Sequence, residues 1–232
     1  MRRSAQQSSP CFRADVKTPD WYRSPEWDEA VERDFRQRLA RASHHNQIQY
    51  RRIKGITLLN TGDPAKSAAG RRLLIEVVES SEGADFEKVI ALSTLGERAL
   101  RDGQLDEAEA NLREALRIAG DNGSGTTGLE EAWLAQVALA RGDRGGFREA
   151  LDLVARRAHD PPQILSARFE ICLTAAKLAV ALGDPVAAAS WARSALTLAD
   201  AEHSGLANHP TLGLVEVTAQ TRAWLNEVAE SA

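Results

Sequence analysis

The chain has 232 residues, a formal net charge of −4 and an isoelectric point near 5.8, an acidic balance that argues against a dedicated nucleic-acid binder. Its two cysteines, Cys11 and Cys172, make no disulfide framework and point to a reducing, cytoplasmic compartment. No apolar run approaches the roughly 18 residues that a membrane span needs, so no membrane association is expected.

Aromatic residues make up only 5% of a chain that is 43% hydrophobic, so packing must rely on Leu, Val, Ile and abundant Ala, as helix-on-helix packing allows. Residues 1–19 are polar and read as a disordered tail. Their basic start, MRRSAQQSSPCF, lacks the apolar stretch of a secretory signal. A capping helix is expected over 24–42, with Ser24 as N-cap, Pro25 at the first helical position and a stripe formed by Trp27, Val31, Phe35 and Leu39. Trp21 and Tyr22 are expected to staple against it. His44 and His45 fall in the turn that follows.

Four helical hairpins are then expected, at about 47–80, 86–119, 128–158 and 162–202. The chain closes with a second capping helix over 211–229, marked by Leu212, Val215, Ala219, Leu225 and Val228. This gives ten helices and, with no sustained period of two anywhere, no sheet.

The best-marked hairpin is Ile90 to Ala119. Its second helix carries Leu105, Ala108, Leu112, Ala115, Leu116 and Ala119 at spacings of three and four, one stripe on a 3.6-residue helix. Gly103 stands where the chain must reverse, and Ala108 and Ala115 are small where the paired helix must come close. Asp-flanked turn glycines recur at Gly62, Gly103, Gly142 and Gly183, 41, 39 and 41 residues apart. Pro64 and Pro185 follow two of them, just inside the next helix, where a missing N–H costs little.

Leu92, Leu95-Gly96, Ala99, Gly103, Ala108, Leu112 and Ala115 together resemble the tetratricopeptide repeat (TPR) family, in a divergent form with a period near 40. Leu105 stands for the family's usual aromatic, and Gly120 for its usual terminal proline. The resemblance implies an all-α, right-handed superhelical solenoid of antiparallel hairpins whose first helices line a concave side. In that register the inward, candidate partner-binding positions are Gln49, Arg52 and Asn60 in the first hairpin. They are Glu97 and Arg101 in the second, Trp133 and Gln136 in the third, and Glu170, Thr174 and Lys177 in the fourth. Trp133 reads equally as an anchor for a partner and as a core residue between hairpins.

The chemical motifs are weak. Gly123–Gly128 matches GxGxxG, but a dinucleotide site needs a preceding strand and a phosphate loop needs a lysine. A flexible inter-repeat loop is the better reading. The five histidines, at 44, 45, 159, 203 and 209, lack the spacing of a metal site, so neither metal nor cofactor is expected. Cys172 reads as a buried structural thiol, and no nucleophile–base arrangement stands out. The expectation is therefore not an enzyme. It is a scaffold or adaptor that holds a protein or peptide in its groove. The alternative is a peptide- or ligand-sensing regulator of an effector, and an enzyme without a recognisable motif is the remote one. The Arg-rich, Lys-poor composition suggests a GC-rich bacterial genome.

Overall fold

The computed structural model describes residues 20–80, 85–120, 125–204 and 209–231. Cys11 and the expected tail at 1–19 lie outside them, as do Gly123 and Ser124. Among the described residues there are ten α-helices and no strand. They are α1 (Glu29–Ala40), α2 (His44–Leu59), α3 (Pro64–Val78), α4 (Asp85–Arg101), α5 (Leu105–Ala119), α6 (Glu130–Arg141), α7 (Phe147–His159), α8 (Leu165–Leu182), α9 (Pro185–Ala199) and α10 (Ala219–Glu230). A 3-10 turn at Trp21–Arg23 precedes α1. No helix is long and apolar enough to cross a membrane among the described residues.

The four periodic glycines are the hinges of this arrangement. Gly62, Gly103, Gly142 and Gly183 all adopt left-handed φ, between 69° and 74°, just after α2, α4, α6 and α8. A Cβ at any of them would meet nothing within 4 Å, so glycine is required there by backbone conformation and not by space. Asp63 and Asp184 then cap α3 and α9 with side-chain hydrogen bonds of 2.8 Å to Ala65 N–H and 3.0 Å to Ala187 N–H.

Each hairpin packs on its neighbour. The apolar clusters are small and shared: Ile48, Leu59, Leu74 and Val77 with Ala91 and Leu95 join α2 and α3 to α4. Ala99 and Ala108 with Val137 join α4 and α5 to α6. Ala132 and Ala135 with Phe147, Val154 and Ile171 join α6 and α7 to α8. Phe169, Leu173 and Ala192 with Leu225 and Val228 join α8 and α9 to α10. The first helices of successive hairpins also touch one another, α2 to α4, α4 to α6 and α6 to α8. The second helices α3 and α5 meet through the Arg71–Glu107 ion pair, but no helix packing as close joins α3 to α5 or α5 to α7 among the described residues. The first helices therefore crowd along one side of the row.

Two close approaches within hairpins, one to backbone and one to a leucine side chain, depend on missing side chains. Gly70 of α3 faces Gly55 of α2, and a Cβ on Gly70 would lie 2.6 Å from the Gly55 carbonyl oxygen. A Cβ on Gly96 would lie 2.7 Å from Leu112 Cγ. Ala108 and Ala115 are fully buried, as small residues at this seam should be.

The ends of the chain depart from the sequence reading. The expected helix at 24–42 starts only at Glu29, because Asp28 and not Ser24 is the cap, accepting from Val31 N–H at 2.8 Å. The carbonyls of Ser24 and Glu26 are instead turned toward the Lys54 ammonium, at 2.6 and 3.0 Å, and Trp27 lies 5.2 Å from it. Trp21 and Tyr22 pack inward, Trp21 on Phe35 and Tyr22 stacked on Tyr50 at 4.4 Å. His44 and His45 open α2 behind the Ser43 cap and do not form a turn.

The expected helix at 211–229 begins only at Ala219. Gly213 is left-handed, and its carbonyl accepts from Ser166 N–H at 2.9 Å, satisfying a free donor in the first turn of α8, which has no side-chain cap. The stretch before α10 is thereby used as a strap, and Leu212 is left exposed.

Candidate functional site

The side formed by the first helices carries polar contacts that step from one hairpin to the next. Arg52 of α2 pairs with Glu87 of α4. Arg98 of α4 donates to the Leu59 carbonyl at the end of α2 at 2.9 Å. Ser93 of α4 donates to Glu130 of α6 at 2.6 Å. Gln136 of α6 donates to Glu170 and Thr174 of α8 at 2.6 and 3.1 Å. The partners lie 34 to 39 residues apart, about one hairpin each time.

Between α4, α6 and α8 this side opens into a groove of about 840 Å³. Glu97, Arg101, Trp133, Gln136, Glu170 and Lys177, six of the sequence-predicted positions, line it together. Leu100, Leu129, Leu139, Ile164 and Ala167 supply apolar surface between them. Helix periodicity explains the convergence: Trp133, Gln136 and Ala140 follow one face of α6, and Ala167, Glu170 and Lys177 one face of α8.

The other four predicted positions are placed elsewhere. Arg52 is engaged with Glu87, whose side chain is only 4% exposed, so that charge is consumed within the protein. Gln49 is half-buried on α2, and Asn60 is exposed just past its end; neither lines the groove. Thr174 is fully buried beneath Gln136 and acts as an acceptor under the floor. Trp133 joins both of its readings. It is 8% exposed and buried in the stack, yet part of it forms the groove floor.

The electrostatics of the groove are uneven. Glu97 holds Arg101 at 2.6 Å, and Glu170 takes the Gln136 amide. Lys177 is exposed and, among the described residues, has no carboxylate within ion-pair distance. It also lines a second cavity of about 330 Å³ with Leu173, Gln220, Thr221 and Trp224, which continues the same side onto α10. The sequence reading missed these α10 residues, because it placed them within a longer helix and gave that helix only a capping role. The spacing of Gln220, Thr221 and Trp224 on one face was the available signal.

The glycine-rich connection has a different occupant from the one its motif suggests. The Glu130 carboxylate, fully buried at the start of α6, accepts from the N–H groups of Thr127, Gly128 and Leu129 at 2.8, 3.0 and 3.1 Å. A carboxylate of the chain itself thus takes up the N–H groups of the loop that leads into α6. Among the described residues no group of three or more His, Cys, Asp or Glu converges as metal ligands would. Cys172 is buried in the α8–α9–α10 cluster, and burial pushes its thiol pKa up.

Comparison with family models, with curated proteins and with solved structures returns no match.

Proposed function

We propose that the hairpins stack as a right-handed, TPR-like superhelical solenoid, and that the crowded first helices line its concave face. That face binds a partner protein or peptide, and the protein serves as a non-enzymatic scaffold or adaptor in the cytoplasm. The observation that carries this reading is the convergence of Glu97, Arg101, Trp133, Gln136, Glu170 and Lys177, from three successive first helices, on one groove. Such a surface, an aromatic floor with polar groups around it, suits an extended peptide or a partner helix. No cofactor, metal or nucleic acid enters the proposal.

The test is affinity purification from the native host with mass spectrometry, run in parallel on the Trp133→Ala, Arg101→Glu double variant. We expect a specific protein to co-purify with the native chain and to be lost from the variant, while far-ultraviolet circular dichroism shows unchanged helicity. Equal recovery by both would sink the groove assignment. Recovery of a short endogenous peptide in place of a protein would favour a peptide-sensing regulator.

A further inference from the structure

The groove and the smaller cavity beside α10 meet at one side chain, Lys177, which lines both. In the groove the two carboxylates already have partners within the chain, Glu97 with Arg101 and Glu170 with Gln136. The smaller cavity has no acidic lining residue: Leu173 and Trp224 form its apolar walls, and Gln220 and Thr221 are its neutral polar groups. Lys177 is thus the one charged group of this region left without a partner among the described residues. It stands between two tryptophan-bearing surfaces, Trp133 on one side and Trp224 on the other.

The remaining unused hydrogen-bonding capacity points the same way. The indole N–H groups of Trp133 and Trp224 donate to no described residue and are not sealed from solvent. All three groups are donors, and an ammonium has no acceptor capacity. A ligand that completes them must bring acceptors, and a charged acceptor at the centre gains most, because hydrogen bonds between ionised groups are the stronger ones.

We propose that this side of the molecule takes a peptide segment carrying an acidic side chain between two apolar ones. The carboxylate meets Lys177 Nζ, one apolar residue lies on Trp133 with Leu100 and Leu139, and the other lies between Leu173 and Trp224. The proposal rests on the groove being the binding face and adds the chemistry of its occupant. A lysine at the central position would face the Lys177 ammonium, and like-charge repulsion disfavours it there; Glu170, whose only partner is the neutral Gln136 amide, lies on the groove side of that point.

The experiment uses the full chain and synthetic probes. These are N-acetylated, C-amidated Gly/Ser peptides with two leucines flanking a central Glu at spacings of two, three and four residues, together with their Gln and Lys counterparts. A further probe has Gln at the centre and a free C-terminal carboxylate. Binding is read by fluorescence anisotropy of labelled peptide on the native chain, Lys177→Glu, Trp133→Ala and Trp133→Phe. Circular dichroism checks folding, and Trp133→Phe keeps the test readable should Trp133→Ala unfold.

For at least one spacing the Glu probe should bind about tenfold tighter than Gln, with Lys weaker still. Lys177→Glu should invert the order to Lys above Glu. Equal binding of all centres, an unchanged order in Lys177→Glu, or no binding at any spacing would overturn the proposal. So would a Gln probe with a free terminus binding as well as the Glu probe, since the carboxylate would then be a chain terminus. If Trp133→Ala removes binding while Lys177→Glu leaves the order unchanged, the groove reading stands and the acidic preference falls. If Lys177→Glu inverts the order while neither Trp133 variant weakens binding, the contact lies at α10 alone and the groove reading falls.

Discussion

The side lined by first helices is closed at one end and open at the other. Between α2 and α4, Arg52 is clasped by Glu87 and Arg98 by the Leu59 carbonyl, and Lys54 is fully buried under the segment before α1. From α4 to α10 the same side keeps an exposed lysine, a groove floored by Trp133 and a smaller cavity walled by Trp224. The helical plan is shared; at the closed end Arg52 and Arg98 are engaged one hairpin along, whereas at the open end Gln136 and Glu170 bond each other across hairpins and still line the groove, and Lys177 has no partner among the described residues. Position in the repeat register alone thus selects candidates for binding without separating those already engaged.

The largest expected effect sharpens this contrast. Arg52→Ala leaves Glu87, 3% exposed, without its cation. Removing one partner of a largely buried pair strands the other, and we expect a loss on the order of 3 kcal/mol, read from denaturant unfolding. A loss below about 0.5 kcal/mol, the scale of a surface pair, would mean that Arg52 is as free as Lys177 and that the two ends do not differ.

Next comes the seam that lets the closed end close. Gly70→Val places methyl groups where even a Cβ would sit 2.6 Å from the Gly55 carbonyl, so α2 and α3 must part, at a cost of about 2 kcal/mol. Gly62→Ala tests the other use of glycine, since its Cβ would meet nothing and only the left-handed φ is penalised, by about 1 kcal/mol. If Gly62→Ala proves the costlier of the two in thermal unfolding, the close approach is not what fixes this hairpin.

Charge at the closed end also predicts a pH dependence. Burial holds the Lys54 ammonium below the ordinary lysine value of 10.5, with Lys66 lowering it further and Glu26 opposing. The folded protein therefore releases this proton before the unfolded chain does. Stability rises with pH across the interval between the folded value and 10.5, and is flat below it. The difference in stability between the native chain and Lys54→Met should shift in favour of the native chain as pH climbs toward 10.5. A difference that is constant or reversed across that interval would show that the two carbonyls and Trp27 outweigh burial. Glu76 is the opposite case. Burial raises its carboxyl, but the hydrogen bond and charge of Arg36, joined by Arg51, prevail and hold it below the ordinary carboxylate range.

Where local chemistry decides the structure, the sequence was sufficient. The four turn glycines, the bounds of α5 and the small residues Ala108 and Ala115 follow from backbone conformation and helix periodicity. It failed where a distant group decides. Ser24-Pro25 has the chemistry of a helix start, but Lys54, 30 residues on, claims the Ser24 carbonyl. Residues 211–218 have a helical apolar pattern, yet the bare first turn of α8 draws the Gly213 carbonyl away. The groove was half legible for the same reason: α4, α6 and α8 followed the register, whereas Arg52 and Thr174 were assigned without knowledge of Glu87 and Gln136.

The smallest expected effect lies at the open end and completes the comparison. Arg101 pairs with Glu97 one turn earlier on α4, and its side chain is 64% exposed, so solvent and salt screen the pair. Arg101→Ala should change stability by less than about 0.5 kcal/mol. It nonetheless frees Glu97 inside the groove, next to a partner segment that, on our reading, carries a carboxylate. Binding of the Glu-centred probe should therefore weaken, more strongly at low salt than at high salt, while the unfolding midpoint stays where it was. A variant that loses stability but keeps its affinity would reverse the division between a sealed end and an open one, since Arg101 would then serve the stack and not the ligand.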